Sequence, residues 1–173
     1  MVFVDECGAH TSMTRLRARA PRGERAYGTV PRNRGRNTTL IASMGAGGMG
    51  PCLTVEGATT KVVFETYVER VLAPSLSCGQ VVVMDNLGAH KGDRVRELIE
   101  GRGCSILFLP PYSPDFSPIE EAFSKLKALL RTASARTRAA LVEAIGIALS
   151  AVTPEDAIGF FGHCDYLPSA QPS

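Results

Sequence analysis

Two short runs of wholly apolar residues each end in an aspartate, and no other feature restricts the fold of this 173-residue chain as tightly. Val81-Val82-Val83-Met84 leads into Asp85, and Met1-Val2-Phe3-Val4 leads into Asp5. A strand without polar alternation is one covered on both faces, the condition of a parallel sheet flanked by helices. In such sheets the groups that meet a ligand sit at the carboxyl ends of the strands. If the two runs are neighbours, Asp5 and Asp85 come close together and repel. A divalent cation removes that conflict, and hard oxygen donors suit Mg2+ or Mn2+.

The rest of the chain fits that frame. Residues 38–43 are β-prone, the glycines of 45–50 read as a tight connection, and 51–55 return antiparallel as a hairpin. Apolar residues at helical spacing mark a helix over 61–72, stopped by Pro74. Further helices are expected over 91–101, 118–131, 138–152 and 155–161, with another apolar strand at 105–109. Strands as a meander, then strands alternating with helices, predict an α/β fold: a mixed five-stranded sheet with helices on both faces. Residues 8–35, rich in Arg, Gly and Pro, read as loop with one irregular strand. One domain is expected over 1–166, with 167–173 a frayed tail.

At 45% hydrophobic and 21% charged, the chain has an ordinary globular composition and enough length for one sizeable core. No apolar run approaches the roughly 20 residues that cross a bilayer. Asp5 and Glu6 interrupt the opening run before it could act as a signal peptide. The five cysteines are scattered without a C-x-x-C pair, which argues against zinc and redox motifs. They read as small buried hydrophobes in a reducing compartment, so a cytoplasmic protein is expected.

Charge is uneven. Arg15, Arg17, Arg19, Arg22, Arg25, Arg32, Arg34 and Arg36 are opposed locally by Glu24 alone, although the whole chain carries only +2. Arginine is the better phosphate fork, and a concentrated basic stretch in a weakly charged protein suggests contact with a nucleic-acid backbone. Lys91 joins these as a candidate. The bland alternative is a solvated Arg-rich loop.

A third acid, Glu120, follows Asp85 with residues 86–119 between them. Ser117-Pro118-Ile119-Glu120 reads as an N-cap, a proline at the first helical position and a capping-box glutamate. Taken alone, that favours a structural role for Glu120. Glu121 competes with it but points about 100° away around a helix. Three acids on separate elements are nevertheless what a site with two divalent ions about 3.5–4 Å apart requires for phosphoryl transfer. Asn86 reads equally as a hydrogen-bond partner of Asp85 or a turn residue. His90, softer than such ions prefer, reads as positioning the loop or touching phosphate. A phospho-acceptor Asp of the haloacid-dehalogenase kind would need D-x-D, which neither Asp5-Glu6-Cys7 nor Asp85-Asn86-Leu87 supplies.

Together, VFVDECG (2–8), VVVMDNLGAHK (81–91) and LPPYSPDFSPIEEAFSKLK (109–127) resemble the catalytic domain of the DDE transposases, in particular the bacterial insertion-sequence group related to mariner within the retroviral-integrase superfamily. The resemblance runs to about Tyr166. It implies a ribonuclease H-like fold, a metal triad of Asp5, Asp85 and Glu120, and two Mg2+ or Mn2+ ions. It also implies DNA partners, both transposon ends and target, with hydrolytic nicking followed by attack of the freed 3′-hydroxyl on target DNA. A homodimer is a separate expectation that the residues leave open. Ser117 stands where that family usually has Asn. The upstream helix-turn-helix region that reads inverted repeats has no counterpart in these motifs. It is expected from a split or frameshifted partner reading frame. The rival expectation is a non-catalytic DNA-binding or assembly subunit, or an inactive remnant, that works through residues 15–36.

Overall fold

Strand β1 (Val2–Ala9) is the centre of the molecule, and the sheet grows from it in both directions. The computed structural model describes residues 1–32, 35–111 and 113–166. On one side β1 pairs antiparallel with β2 (Thr38–Gly45), which turns at Ala46-Gly47 into β3 (Gly48–Glu56). Gly48 opens the return strand at φ +117°, a backbone conformation that a side chain would strain. On the other side β1 pairs parallel with β4 (Val81–Met84), and β4 pairs parallel with β5 (Ser105–Phe108). The order β3-β2-β1-β4-β5 is the expected mixed five-stranded sheet, a ribonuclease H-like arrangement flanked by helices.

Alternation along each strand sends side chains into two cores. Phe3, Cys7 and Val83 pack with α3 (Pro118–Ala133), α4 (Arg138–Ser150) and α5 (Pro154–His163). Val4, Val82 and Met84 pack on the other face with α1 (Lys61–Tyr67) and α2 (Asp93–Glu100). Phe3, Phe64, Tyr67, Phe123 and Leu126 are fully buried, and each such side chain contributes about 1.5–3 kcal/mol by leaving water. That burial on both faces is why Val2–Val4 and Val81–Met84 carry no polar alternation. Among the described residues no single helix is long and apolar enough to cross a membrane.

Four expectations need correction. First, β1 does not stop at Asp5. It runs on to Ala9, because residues 5–9 keep an antiparallel ladder with β2 after the parallel ladder to β4 has ended at Val4–Met84. Second, no strand occurs among the described residues of 10–37. Third, the helix begun at Lys61 tightens only after a wider π turn over Val68–Leu72, and Pro74 lies in the 3-10 turn that follows. Fourth, Cys7, Cys104 and Cys164 are buried and Cys52 is half-buried, but Cys78 is exposed in the turn before β4. The expected tail, 167–173, lies outside the described residues, as do Arg34 and Tyr112.

Candidate active site

The place where the parallel ladder ends determines the site. Val4 pairs with Met84, so the next residues of the two strands, Asp5 and Asp85, leave the ladder side by side. Asp5 continues the alternation of Phe3 and Cys7 and faces the α3 side. Helix α3 brings Glu120 in its first turn to the same place. Asp5, Asp85 and Glu120 line one open cleft of about 460 Å3, with Asn86, Leu87, Pro110, Ser113 and Ser117 around its wall.

The Glu120 carboxylate is exposed and has no hydrogen-bond or ion-pair partner among the described residues. The expected capping box is absent. Ser117 makes no side-chain cap hydrogen bond, and the Glu120 N–H is satisfied by the Ser117 carbonyl at 3.0 Å. The structural explanation for this acid therefore fails, leaving its carboxylate directed to the cleft. Pro118 does occupy the helix start, as its missing N–H allows. Glu121 is engaged elsewhere, in an ion pair with His163, and does not line the cleft.

Electrostatics single out Asp5. Burial pushes its carboxyl up to about 7, and the nearby Glu120, Glu6 and Asp85 add to the rise, while the Glu6 N–H donating to Oδ1 at 2.7 Å opposes it. Asp85 moves the other way. The His90 imidazole beside it holds its carboxyl below the usual range, helped by the Leu87 N–H donating to Oδ1 at 3.0 Å. Asn86 is not among the hydrogen-bond partners of Asp85. It stands between the cleft and a smaller cavity of about 200 Å3 lined by Lys91, Arg96, Ile106 and Phe108. Lys91 is exposed there, on the far side of the 85–92 loop from the cleft.

His90 is fully buried within that loop's 3-10 turn (Gly88–Lys91), its ring tilted over Phe64 with centroids 4.1 Å apart. Nε2 lies 3.1 Å from Glu6 Oε1, and Nδ1 lies 2.6 Å from Asp85 Oδ1. The second contact is short but off the N–H axis, leaving Nδ1 without a well-formed hydrogen bond. The contact is one of charge pairing. Burial opposes a charge on His90, but the Asp85 and Glu6 carboxylates beside it push the imidazole up to about 9. Glu6 was not legible as a functional residue. The available signal was its place directly after Asp5 in a strand, which turns it to the opposite face, where a buried acid needs a partner. Cys7, with Lys127 beside it, is pushed up to about 11 by burial and stays a thiol.

The arginine segment is elsewhere. Its base packs at the far end of α3, where Arg136 donates to the carbonyls of Thr11 (2.9 Å) and Met13 (3.0 Å). Arg15 and Arg17 line a cavity there with Tyr27, Ser134 and Arg136. Most of α3, from Glu120 in its first turn to its C-cap Ser134, separates this cavity from Glu120, a helix length of about 21 Å. Arg19, Arg22, Arg25 and Arg32 are exposed, and Arg36 is ion-paired with Glu56 at 3.0 Å.

A divalent ion suits this donor set in kind. Asp5 and Asp85 each engage one oxygen with the protein and leave the other unengaged among the described residues, and burial with mutual repulsion disfavours ionised Asp5 until a cation arrives. As the side chains stand, no three His, Cys, Asp or Glu among the described residues are grouped closely enough to hold one ion. Asp85 is drawn toward His90, and Glu120 is free to turn.

A family model described as "DDE superfamily endonuclease" matches residues 1–142. No curated protein matches the sequence. Among solved structures the chain is similar to the Mos1 transposase paired-end complex with left transposon end, at 19% identity over 94% of this chain and 51% of that one, with a TM-score of 0.72. It is similar to the mariner Mos1 paired end complex with Mg, at 18% identity over 94% and 51%, TM-score 0.72. It is also similar to the catalytic domain of Mos1 mariner transposase, at 15% identity over 94% and 76%, TM-score 0.64. At these identities the likeness is one of fold, and the chain spans about half the length of the transposases in the paired-end complexes.

Proposed function

We propose, from the premise that this chain belongs to the DDE superfamily endonucleases, that it is a transposase catalytic domain that cleaves DNA strands at the ends of a mobile element of the insertion-sequence type and joins them to target DNA. The observation that carries the reading is the convergence of Asp5, Asp85 and Glu120 on one open cleft at the end of the parallel ladder. An endonuclease acting on duplex DNA needs an open, shallow, acid-lined cleft rather than an enclosed pocket, and this one is open.

In this reading Asp5, Asp85 and Glu120 hold two Mg2+ or Mn2+ ions. Bound there, the ions supply activation of the attacking hydroxyl and charge stabilisation of the leaving oxygen. The chain's own residues do the remaining work. The sheet fixes the backbone spacing of the two aspartates, and α3 aims Glu120 from its N-terminus, where a carboxylate is favoured by the helix dipole. In the cleavage step water attacks phosphorus and the P–O3′ bond breaks, leaving a 3′-hydroxyl and a 5′-phosphate. In strand transfer that hydroxyl takes the place of water. Residues 15–36 would contact DNA backbone, Arg15 and Arg17 doing so about 21 Å of helix from Glu120, a distance of about six base steps. Recognition of element ends by a helix-turn-helix region and assembly as a homodimer belong to the same proposal.

The deciding experiment is nicking of supercoiled plasmid in Mg2+ or Mn2+ by the wild type and by Asp85→Asn. Nicking by the wild type and its loss in the variant are expected. Equal nicking by both would sink the assignment.

A further inference from the structure

Two consecutive acids, Asp5 and Glu6, point to opposite faces of the central strand, and only the first belongs to the cleft. Glu6 points into the core shared with α1 and α2, where its side chain is 14% exposed. A carboxylate there is costly unless it is paired. Its partner is the Nε2 of His90, at 3.1 Å. That imidazole is itself locked from below by Phe64, a fully buried residue of α1. From above, its Nδ1 meets Oδ1 of Asp85 at 2.6 Å. The Leu87 N–H holds the same oxygen. Asp85 therefore has one oxygen gripped twice and the other without a partner among the described residues.

We infer that Glu6, acting through His90, is a positioning residue for Asp85: the pair holds Oδ1 on the protein side and so selects Oδ2 as the oxygen offered to a divalent ion. The inference rests on the reading that Asp85 is a metal ligand. Its physical content is that an aspartate at a strand end, half-exposed and followed by a turn, has several carboxylate rotamers. Without a brace it would lose freedom only when the ion binds, at the expense of affinity. Partners of this kind behind a metal ligand are worth about 10–100-fold in metal affinity. Neither residue touches the reacting atoms, so neither is a catalytic residue.

The test is Mn2+ binding to the whole 173-residue protein, followed by the electron paramagnetic resonance of the unbound ion. Glu6→Gln keeps the side chain's shape and should weaken Mn2+ binding about 10–100-fold with the far-UV circular dichroism unchanged. In the Asp85→Asn background, where the brace has lost its object, the same change should alter affinity less than about twofold. Wild-type affinity in a folded Glu6→Gln protein overturns the inference and leaves the triad standing. Full additivity with Asp85→Asn also overturns it. A wild type that binds no Mn2+ overturns the triad and the inference together. Nitrogen-15 spectra of the wild-type imidazoles give a reading that needs no variant. Saturating Mg2+ should shift both ring nitrogens of His90, and unmoved resonances would count against the brace even if Glu6→Gln failed to fold.

Discussion

The carboxylate cleft and the arginine loop hold most of the chain's chemically expressive side chains, and they are organised in opposite ways. The three acids of the cleft are far apart in the sequence, each fixed by a different regular element, and they meet because two strands pair in parallel. The arginines lie within 22 consecutive residues, 15–36, and are held by no regular element among the described ones. Bond-making chemistry needs atoms placed to a fraction of an ångström, which only a packed scaffold supplies. Attraction to a polyanion needs only charge density, which a loop supplies as well as a helix. The two regions should therefore fail in different assays.

The largest effect expected is on the cleft. Asp85→Asn should lower plasmid nicking at least about a thousandfold, the kinetic equivalent of losing several kcal/mol of charge stabilisation. DNA retention at fixed salt should stay within about twofold, since no phosphate-binding cation is removed. A variant that lost retention and nicking together would collapse the distinction between the two regions.

Next in size is the converse change. Replacing Arg15, Arg17, Arg19, Arg22 and Arg25 by Gln should flatten the dependence of DNA affinity on salt by about 0.9 in log–log slope for each phosphate no longer neutralised. Nicking at saturating DNA should stay within about threefold. Unchanged retention would make residues 15–36 a solvated loop. Retention abolished in this variant, with no nicking by any protein including the wild type, would favour a DNA-binding or assembly subunit instead.

A smaller effect is on stability in EDTA. Asp5 titrates near its ordinary 3.8 when unfolded and at about 7 when folded, so the folded state binds the extra proton between those values. Stability contributed by that proton is present below about pH 4 and is lost as pH rises through about 7. Thermal melts should show the wild type losing ground to Asp5→Asn across that window, and parallel curves would refute the shift. Mg2+ should recover the difference at the upper end.

The smallest is a control on the scaffold. Thr153 and Asp156 form a reciprocal capping box at the start of α5, with Asp156 also paired to Lys125. Thr153→Ala should cost about 1 kcal/mol, seen as a fall of about 2–4 °C in Tm, with nicking and retention unaltered. A loss of nicking there would mean that the cleft is less insulated from its scaffold than the packing implies.

Much of this was legible without coordinates, for identifiable reasons. Val81–Met84 and Val2–Val4 announced buried strands because burial on both faces leaves no polar positions. The hairpin at 45–50 and the start of α3 followed from glycine and proline chemistry. Other features were not legible. That β1 runs on through Glu6 and Cys7 depends on β2 outlasting β4 as a partner, which no local pattern encodes. Glu120 looked like a capping-box residue because the local string satisfies that pattern, yet Ser117 does not cap. The Glu6–His90–Asp85 contact joins residues 84 positions apart at its widest, beyond any periodicity argument.

By itself the sequence determined the class of fold, singled out three candidate acids and placed the concentration of positive charge. Those are properties of composition, local periodicity and ordered motifs. Tertiary structure decided which oxygens of those acids are left unengaged, which glutamate of the Glu120-Glu121 pair lines the cleft, and that Arg15 and Arg17 line a cavity about 21 Å away at the other end of α3. These are matters of strand register and helix phase, and each is set by how side chains distant in the chain share the two cores.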